Sequence, residues 1–305
     1  MGIARPTTVD TTSLGINPPT FRLPATARIG RVRLAVSQLA RSVHFYSEVI
    51  GLAVLEIDGK IAKLGAQDSK LVLLELEELP GVHAIGRQTR LGLYHTAFLL
   101  LSRPALSSFV QHLRQDGIEF GAGDHIYSEA IYLVDPDGLS VEVYADRPRS
   151  EWVVENGELV SAADPVRFET FPAVAPDSWR GAPAGTTMGH VHFYVGDLEQ
   201  AKKFYHSGLG LDITTWRYPG ALFTSAGGYH HHVGLNVWVA NSPVASNENS
   251  RLLFWEILLP DRDEVHRAAE SLVRAAYPPL QESNGLIFRD PWGITVALRV
   301  AGPND

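Results

Sequence analysis

The chain has 305 residues, of which 45% are hydrophobic and 20% charged, with no cysteine and a formal net charge of −8. These figures exclude a disordered chain, a disulfide framework, a thiolate metal site and a thiol nucleophile, and the acidic balance argues against a nucleic-acid partner. The length suits two domains of about 100–200 residues each. No apolar run approaches the roughly 20 residues of a membrane span, and the opening Arg- and Pro-bearing segment lacks a signal-peptide core, so a soluble, cytoplasmic protein with no membrane partner is expected.

A Pro/Thr-rich arm (1–27) comes first. Arg31–Leu52, RVRLAVSQLARSVHFYSEVIGL, then alternates as a strand, crosses a polar turn and takes helical spacing around Phe45-Tyr46 before Gly51-Leu52. Leu91–Leu101 predicts a strand and Ser102–Asp116 a helix. Ala130–Val143 predicts two strands around the turn Asp135-Pro136-Asp137-Gly138, where Pro and Gly supply the dihedrals of a hairpin. Residues 147–186, rich in Pro, Gly and acidic residues, read as a linker. His190–Leu211, HVHFYVGDLEQAKKFYHSGLGL, aligns with the first segment without a gap. The second pattern returns in Leu252–Leu259, Asp261–Ala276 and Leu286–Leu298, around Asp290-Pro291-Trp292-Gly293. Four repeated units are predicted, near 28–80, 91–146, 187–240 and 250–300. Modules 1 and 2 thus fall in 28–146 and modules 3 and 4 in 187–305.

Nine of the 12 histidines fall in modules 2 and 3, and seven of these (95, 125, 190, 192, 230, 231 and 232) are the candidates for chemistry. The matching positions elsewhere are stripped of them: His190 aligns with Arg31, His95 with Phe254, and Glu142 of the last strand with Ala297. A duplicated scaffold that tolerates other residues there does not need these imidazoles and this carboxylate for folding. A lone strand histidine is more often a hydrogen-bonded core residue. Burying the three together without a partner, however, would cost several kcal/mol, a penalty that a divalent cation removes.

The motif Gly189-His190-Val191-His192 with Phe204-Tyr205 and Leu209-Gly210, repeated four times in degraded form, resembles the vicinal oxygen chelate superfamily. Tyr94-His95-Thr96, Tyr132, Asp135-Pro136-Asp137-Gly138 with Val141-Glu142, and Gly227-Gly228-Tyr229-His230-His231-His232 are similar to the type I extradiol ring-cleaving dioxygenases, in their bacterial catechol 2,3-dioxygenase branch. The resemblance implies an α+β fold of four βαβββ modules forming two cupped mixed-sheet barrels. It also implies a 2-His-1-carboxylate set of His95, His190 and Glu142 holding Fe(II), with Mn(II) the alternative. Because His190 lies in module 3 while His95 and Glu142 lie in module 2, modules 2 and 3 must share the metal-binding barrel, leaving 1 and 4 to form an inert one.

By the same resemblance His231 is the acid/base, with His230 and His232 pointing to the opposite face. Tyr132 steadies the substrate oxygen, and His125 supports Tyr132. His192 and Asn236 are expected at the substrate, and no organic cofactor is implied. The implied reaction is cleavage of a catechol ring by O2 beside its hydroxyls, giving a semialdehyde in aromatic-compound catabolism, in a homodimer or homotetramer. A glyoxalase-like isomerase or transferase, or a non-catalytic protein that binds a small aromatic compound, are the rival readings. The isomerase is disfavoured because module 3 ends in Gly234-Leu235-Asn236-Val237, without a second glutamate.

Overall fold

The computed structural model describes residues 14–86, 88–280 and 286–302. Wherever apolar residues alternate, the chain is a strand. In the first unit β1 (Arg28–Val36) leads to α1 (Leu39–His44), which continues as a π-helical turn (Phe45–Val49), then β2 (Ala53–Asp58), β3 (Ile61–Gly65) and β4 (Leu74–Glu78). The second has β5 (Gly92–Leu99), α2 (Arg103–Gln115), β6 (Gly121–Asp124), β7 (Ser128–Val134) and β8 (Ser140–Asp146). A small hairpin, β9 (Val154–Glu155) and β10 (Glu158–Leu159), follows. The third unit comprises β11 (Thr187–Tyr194), α3 (Leu198–Lys202) with its own π turn (Lys203–Gly208), β12 (Asp212–Thr215), β13 (Ala221–Ser225) and β14 (Val233–Asn236). The fourth comprises β15 (Arg251–Leu259), α4 (Arg262–Arg274), β16 (Leu286–Arg289) and β17 (Thr295–Val300). Ser102, Asp197 and Asp261 start α2, α3 and α4 by accepting from the backbone N–H three residues on, which satisfies a donor the helix cannot.

The strands form two mixed sheets. One runs β12-β13-β14-β11-β5-β8-β7-β6 and the other β16-β17-β15-β1-β4-β3-β2. The nested pairing is therefore present: β11 of module 3 lies antiparallel to β5 of module 2, and β1 of module 1 antiparallel to β15 of module 4. Modules adjacent in sequence are tied differently. The fully buried Tyr46 in the π turn after α1 donates to Asp135 of the module 2 turn at 3.1 Å, and Tyr205 donates to Asp290 of the module 4 turn at 3.0 Å. Each sheet is thus stitched to the other twice, through the Phe-Tyr pairs and the Asp-Pro turns that repeat along the sequence.

The arm and the linker are packed segments. Leu14 is buried with Tyr127, Trp152 and Leu159, Ile16 pairs with Ile213, and Arg22 forms an ion pair with Asp212 at 2.7 Å. The earlier part of the arm, 1–13, lies outside the described residues. In the linker, Asp164 pairs with Asp124 at the free edge of β6. Arg147 is no solvated linker charge: it bonds Asp124 at 2.7 Å and Glu129 at 3.1 Å. Among the described residues no helix is long and apolar enough to cross a membrane.

Candidate metal centre and its pocket

Three neighbouring strands converge on one point. The antiparallel pairing of β11 with β5 sets His192 opposite His95, with a bulge between Met188 and His190. β8 runs parallel to β5 and places Glu142 beside Ala97. As a result His95 Nε2 lies 3.2 Å from His190 Nε2, and Glu142 Oε2 lies 3.1 Å and 3.4 Å from those two atoms. All three residues are buried. Donors at right angles around an ion with bonds of about 2.1 Å stand roughly 3 Å apart, so this triangle can cap one face of a hexacoordinate cation.

The electrostatics fit the same reading. Burial pushes the His95 imidazole down to about 3, against the opposing pull of Glu142. Burial alone would raise the Glu142 carboxyl, but the rings of His190 and His95 hold it well below the ordinary carboxylate range. An ionised Glu142 and a neutral His95 are the forms that bind a metal. Among the described residues no Lys or Arg pairs with Glu142, so its buried charge calls for a cation. Nδ1 of His95 and of His190 has no hydrogen-bond partner; their rings are instead held by packing against Tyr94 and Tyr144, with centroids 4.6 Å and 4.9 Å apart.

A cavity of about 180 Å³ opens beside the triangle, lined by His95, Glu142, His125, Tyr132, His192 and His231 among others. Its aromatic wall is Tyr94, Tyr127, Tyr218, Phe223 and Trp238, and the linker residues 161–163 close one side. Such a site, largely apolar with a few convergent polar groups, suits a small aromatic ligand.

The remaining candidate residues have defined places. His231 lines the cavity with its ring 4.1 Å from that of His190. Burial and the neighbouring imidazoles, His190 foremost, hold His231 well below its ordinary value, hence neutral. Tyr132 on β7 lies opposite Glu142, and its hydroxyl is 2.6 Å from His125 Nε2. His125 Nδ1 lies 2.6 Å from the Ala162 carbonyl, which can only accept; the ring proton is therefore on Nδ1, and Nε2 accepts from Tyr132.

Asn236 is fully buried and is not among the cavity-lining residues; it holds His192. Its Oδ1 accepts from the Trp238 backbone N–H, which turns Nδ2 toward His192 Nε2 at 3.0 Å. Gly234, opposite His192 on β14, leaves room for that ring, because a Cβ there would come within 2.8 Å of it. His232 points away, its Nδ1 accepting from the Ala226 N–H at 3.1 Å. Sequence reasoning did not find Tyr127, Tyr218, Phe223 or the linker wall. Nothing in residues 147–186 has a period that would announce it.

The sequence pattern of the Glyoxalase/Bleomycin resistance protein/Dioxygenase superfamily matches residues 28–143 and 187–298. The chain is 41% identical over 268 residues to the catechol-2,3-dioxygenase of Bacillus subtilis (strain 168), covering 86% of this chain and 93% of that protein. Among solved structures, a candidate dioxygenase from Bacillus subtilis subsp. subtilis str. 168 superposes with a TM-score of 0.63 at 14% identity, over 93% of this chain and 87% of that one. Glyoxalase I from Zea mays gives 0.54 at 20% identity, over 90% and 92%. At those identities the two structures are alike in fold alone.

Proposed function

Because the chain belongs to the Glyoxalase/Bleomycin resistance protein/Dioxygenase superfamily, we propose that it is an extradiol dioxygenase that opens a catechol ring with O2 next to the two hydroxyls. The product is a semialdehyde, and the setting is the breakdown of aromatic compounds. The observation that carries this reading is the buried triangle of His95, His190 and Glu142, open on one side to an aromatic-walled cavity. Those three residues would hold Fe(II), which when bound supplies a redox-active centre able to bring catecholate and O2 together.

The chain's own residues do the rest. Tyr94, Phe223 and Trp238 orient the ring and exclude water. His231, neutral and on the cavity wall, takes the proton of a substrate hydroxyl, a task suited to imidazole. Tyr132, placed at the wall by its bond to His125, gives up that bond to donate its O–H to the substrate oxygen that gains charge. His192, fixed from behind by Asn236, bounds the pocket beside His95.

Anaerobic loading with Fe(II), addition of catechol and admission of air should produce a yellow product. Iron-loaded protein that leaves catechol colourless would refute the reading. Metal analysis of protein purified without added metal then decides between iron and manganese.

A further inference from the structure

Behind His231 a line of hydrogen bonds leaves the cavity and reaches the surface. His231 Nδ1 lies 2.8 Å from His230 Nδ1, and His230 Nε2 lies 2.8 Å from Asp146 Oδ1. His230 is buried, with Tyr127 stacked on its ring at 4.4 Å and Tyr229 at 4.0 Å, whereas the Asp146 side chain keeps 24% of its surface exposed. Asp146 closes β8, four residues after Glu142, and so points to the same face of the sheet.

Proton positions follow from what each group can do. A carboxylate only accepts, so His230 carries hydrogen on Nε2. A neutral His230 then has a lone pair on Nδ1, and the short contact requires His231 to donate from its own Nδ1. His231 is left with a bare Nε2. Burial keeps His230 below its ordinary value despite Asp146, consistent with the neutral ring.

We propose that Asp146 and His230 are positioning residues that set His231 with its unprotonated Nε2 available to substrate and counter the charge it acquires. This rests on the reading of His231 as the base. The hydroxyl proton of the substrate goes to Nε2, the Nδ1–H bond stays donated to His230, and the imidazolium so formed faces a carboxylate through one intervening ring. The arrangement parallels an Asp-His pair behind a nucleophile, with a second imidazole in the nucleophile's place.

The test is histidine ring NMR on the full chain, ¹⁵N-labelled and loaded with diamagnetic Zn(II), together with kinetics on the Fe(II) form. His231 should carry hydrogen on Nδ1 alone. His230→Phe should abolish that preference and lower kcat by about 100-fold, with KM and metal content unchanged. His230→Gln, whose amide can accept from His231 and donate to Asp146, should restore the tautomer and part of kcat, and serves if the Phe variant does not fold. Asp146→Asn should retain metal and cost about tenfold in kcat. A proton found on His231 Nε2, or turnover within about twofold of the unmodified chain in both His230→Phe and Asp146→Asn, would overturn the proposal. Full turnover in His231→Asn would instead remove the base reading itself, whereas the tautomer measurement tests the hydrogen-bond line without any turnover.

Discussion

The two sheets pair their first strands in the same register and fill that register with opposite chemistry. In the sheet of modules 2 and 3, His192 stands opposite His95 on one side and Gly234 on the other. In the sheet of modules 1 and 4, Arg33 stands opposite Phe254 and Glu75. Arg31 takes the place of His190, and its guanidinium bonds Glu75 at 2.6 Å and Glu256 at 2.7 Å while lying 5.3 Å from the centre of the Phe254 ring. One sheet carries its cation covalently, held between two carboxylates. The other gathers a carboxylate and two imidazoles beside a cavity. Matching places in the two sheets thus hold an arginine between two carboxylates in one and a carboxylate beside two imidazoles in the other.

Four measurements break or sharpen this division. Glu142→Gln should have the largest effect, taking metal content from stoichiometric to near zero and activity to background; retained metal would mean that the triangle is not the site. His231→Asn should keep the metal, by elemental analysis, and lower kcat by about 10²–10³-fold; metal lost here would place His231 among the ligands. Glu256→Gln should leave metal content and kcat intact but cost roughly 1–3 kcal/mol in urea unfolding, less than a fully buried pair, because Arg31 keeps 29% of its side chain exposed. A matching loss of metal would show that the sheets are not independent.

The last measurement probes where the sheets are alike. Burial pushes the Asp135 and Asp290 carboxyls up to about 7, against the backbone N–H groups of Leu139 and Ile294 that favour the ionised form. An ordinary unfolded value is about 3.9. Folded chains therefore hold these protons more tightly, so the contribution is full below about pH 4 and is lost as pH rises through about 7. Between about pH 5 and about pH 8, unfolding free energy should fall by a few kcal/mol more in the unmodified chain than in Asp135→Asn/Asp290→Asn. Equal pH slopes would contradict the assignment.

Much of the architecture was legible because it is repeated. Alternation marked β1, β5, β11 and β15, the Phe-Tyr pairs marked α1 and α3, and the absence of His190, His95 and Glu142 counterparts in modules 1 and 4 singled out the cluster that the fold brings together. The nested pairing followed from a geometric requirement on His190 alone. What stayed hidden is non-periodic or depends on neighbours distant in sequence. The linker wall at 161–163 is held by an edge pairing with Asp124, and Asn236 reads as a pocket residue until the His192 ring is seen in front of it. Asp146 had a faint signal, its even spacing from Glu142, which means nothing until His230 is placed.

The nesting also orders events in time. Every residue of the metal triangle has been synthesised by His190, and its sheet is complete in sequence at Asn236. β1, made first, has its antiparallel partner in β15, which starts at Arg251, so the seven-stranded sheet cannot close until most of the chain exists. A growing chain thus reaches a complete inner sheet while its earliest strand still lacks a neighbour on one edge, an exposed ladder of the kind that invites mispairing. Truncations that remove module 4 should consequently fail by aggregation through β1 before they fail by loss of ligands.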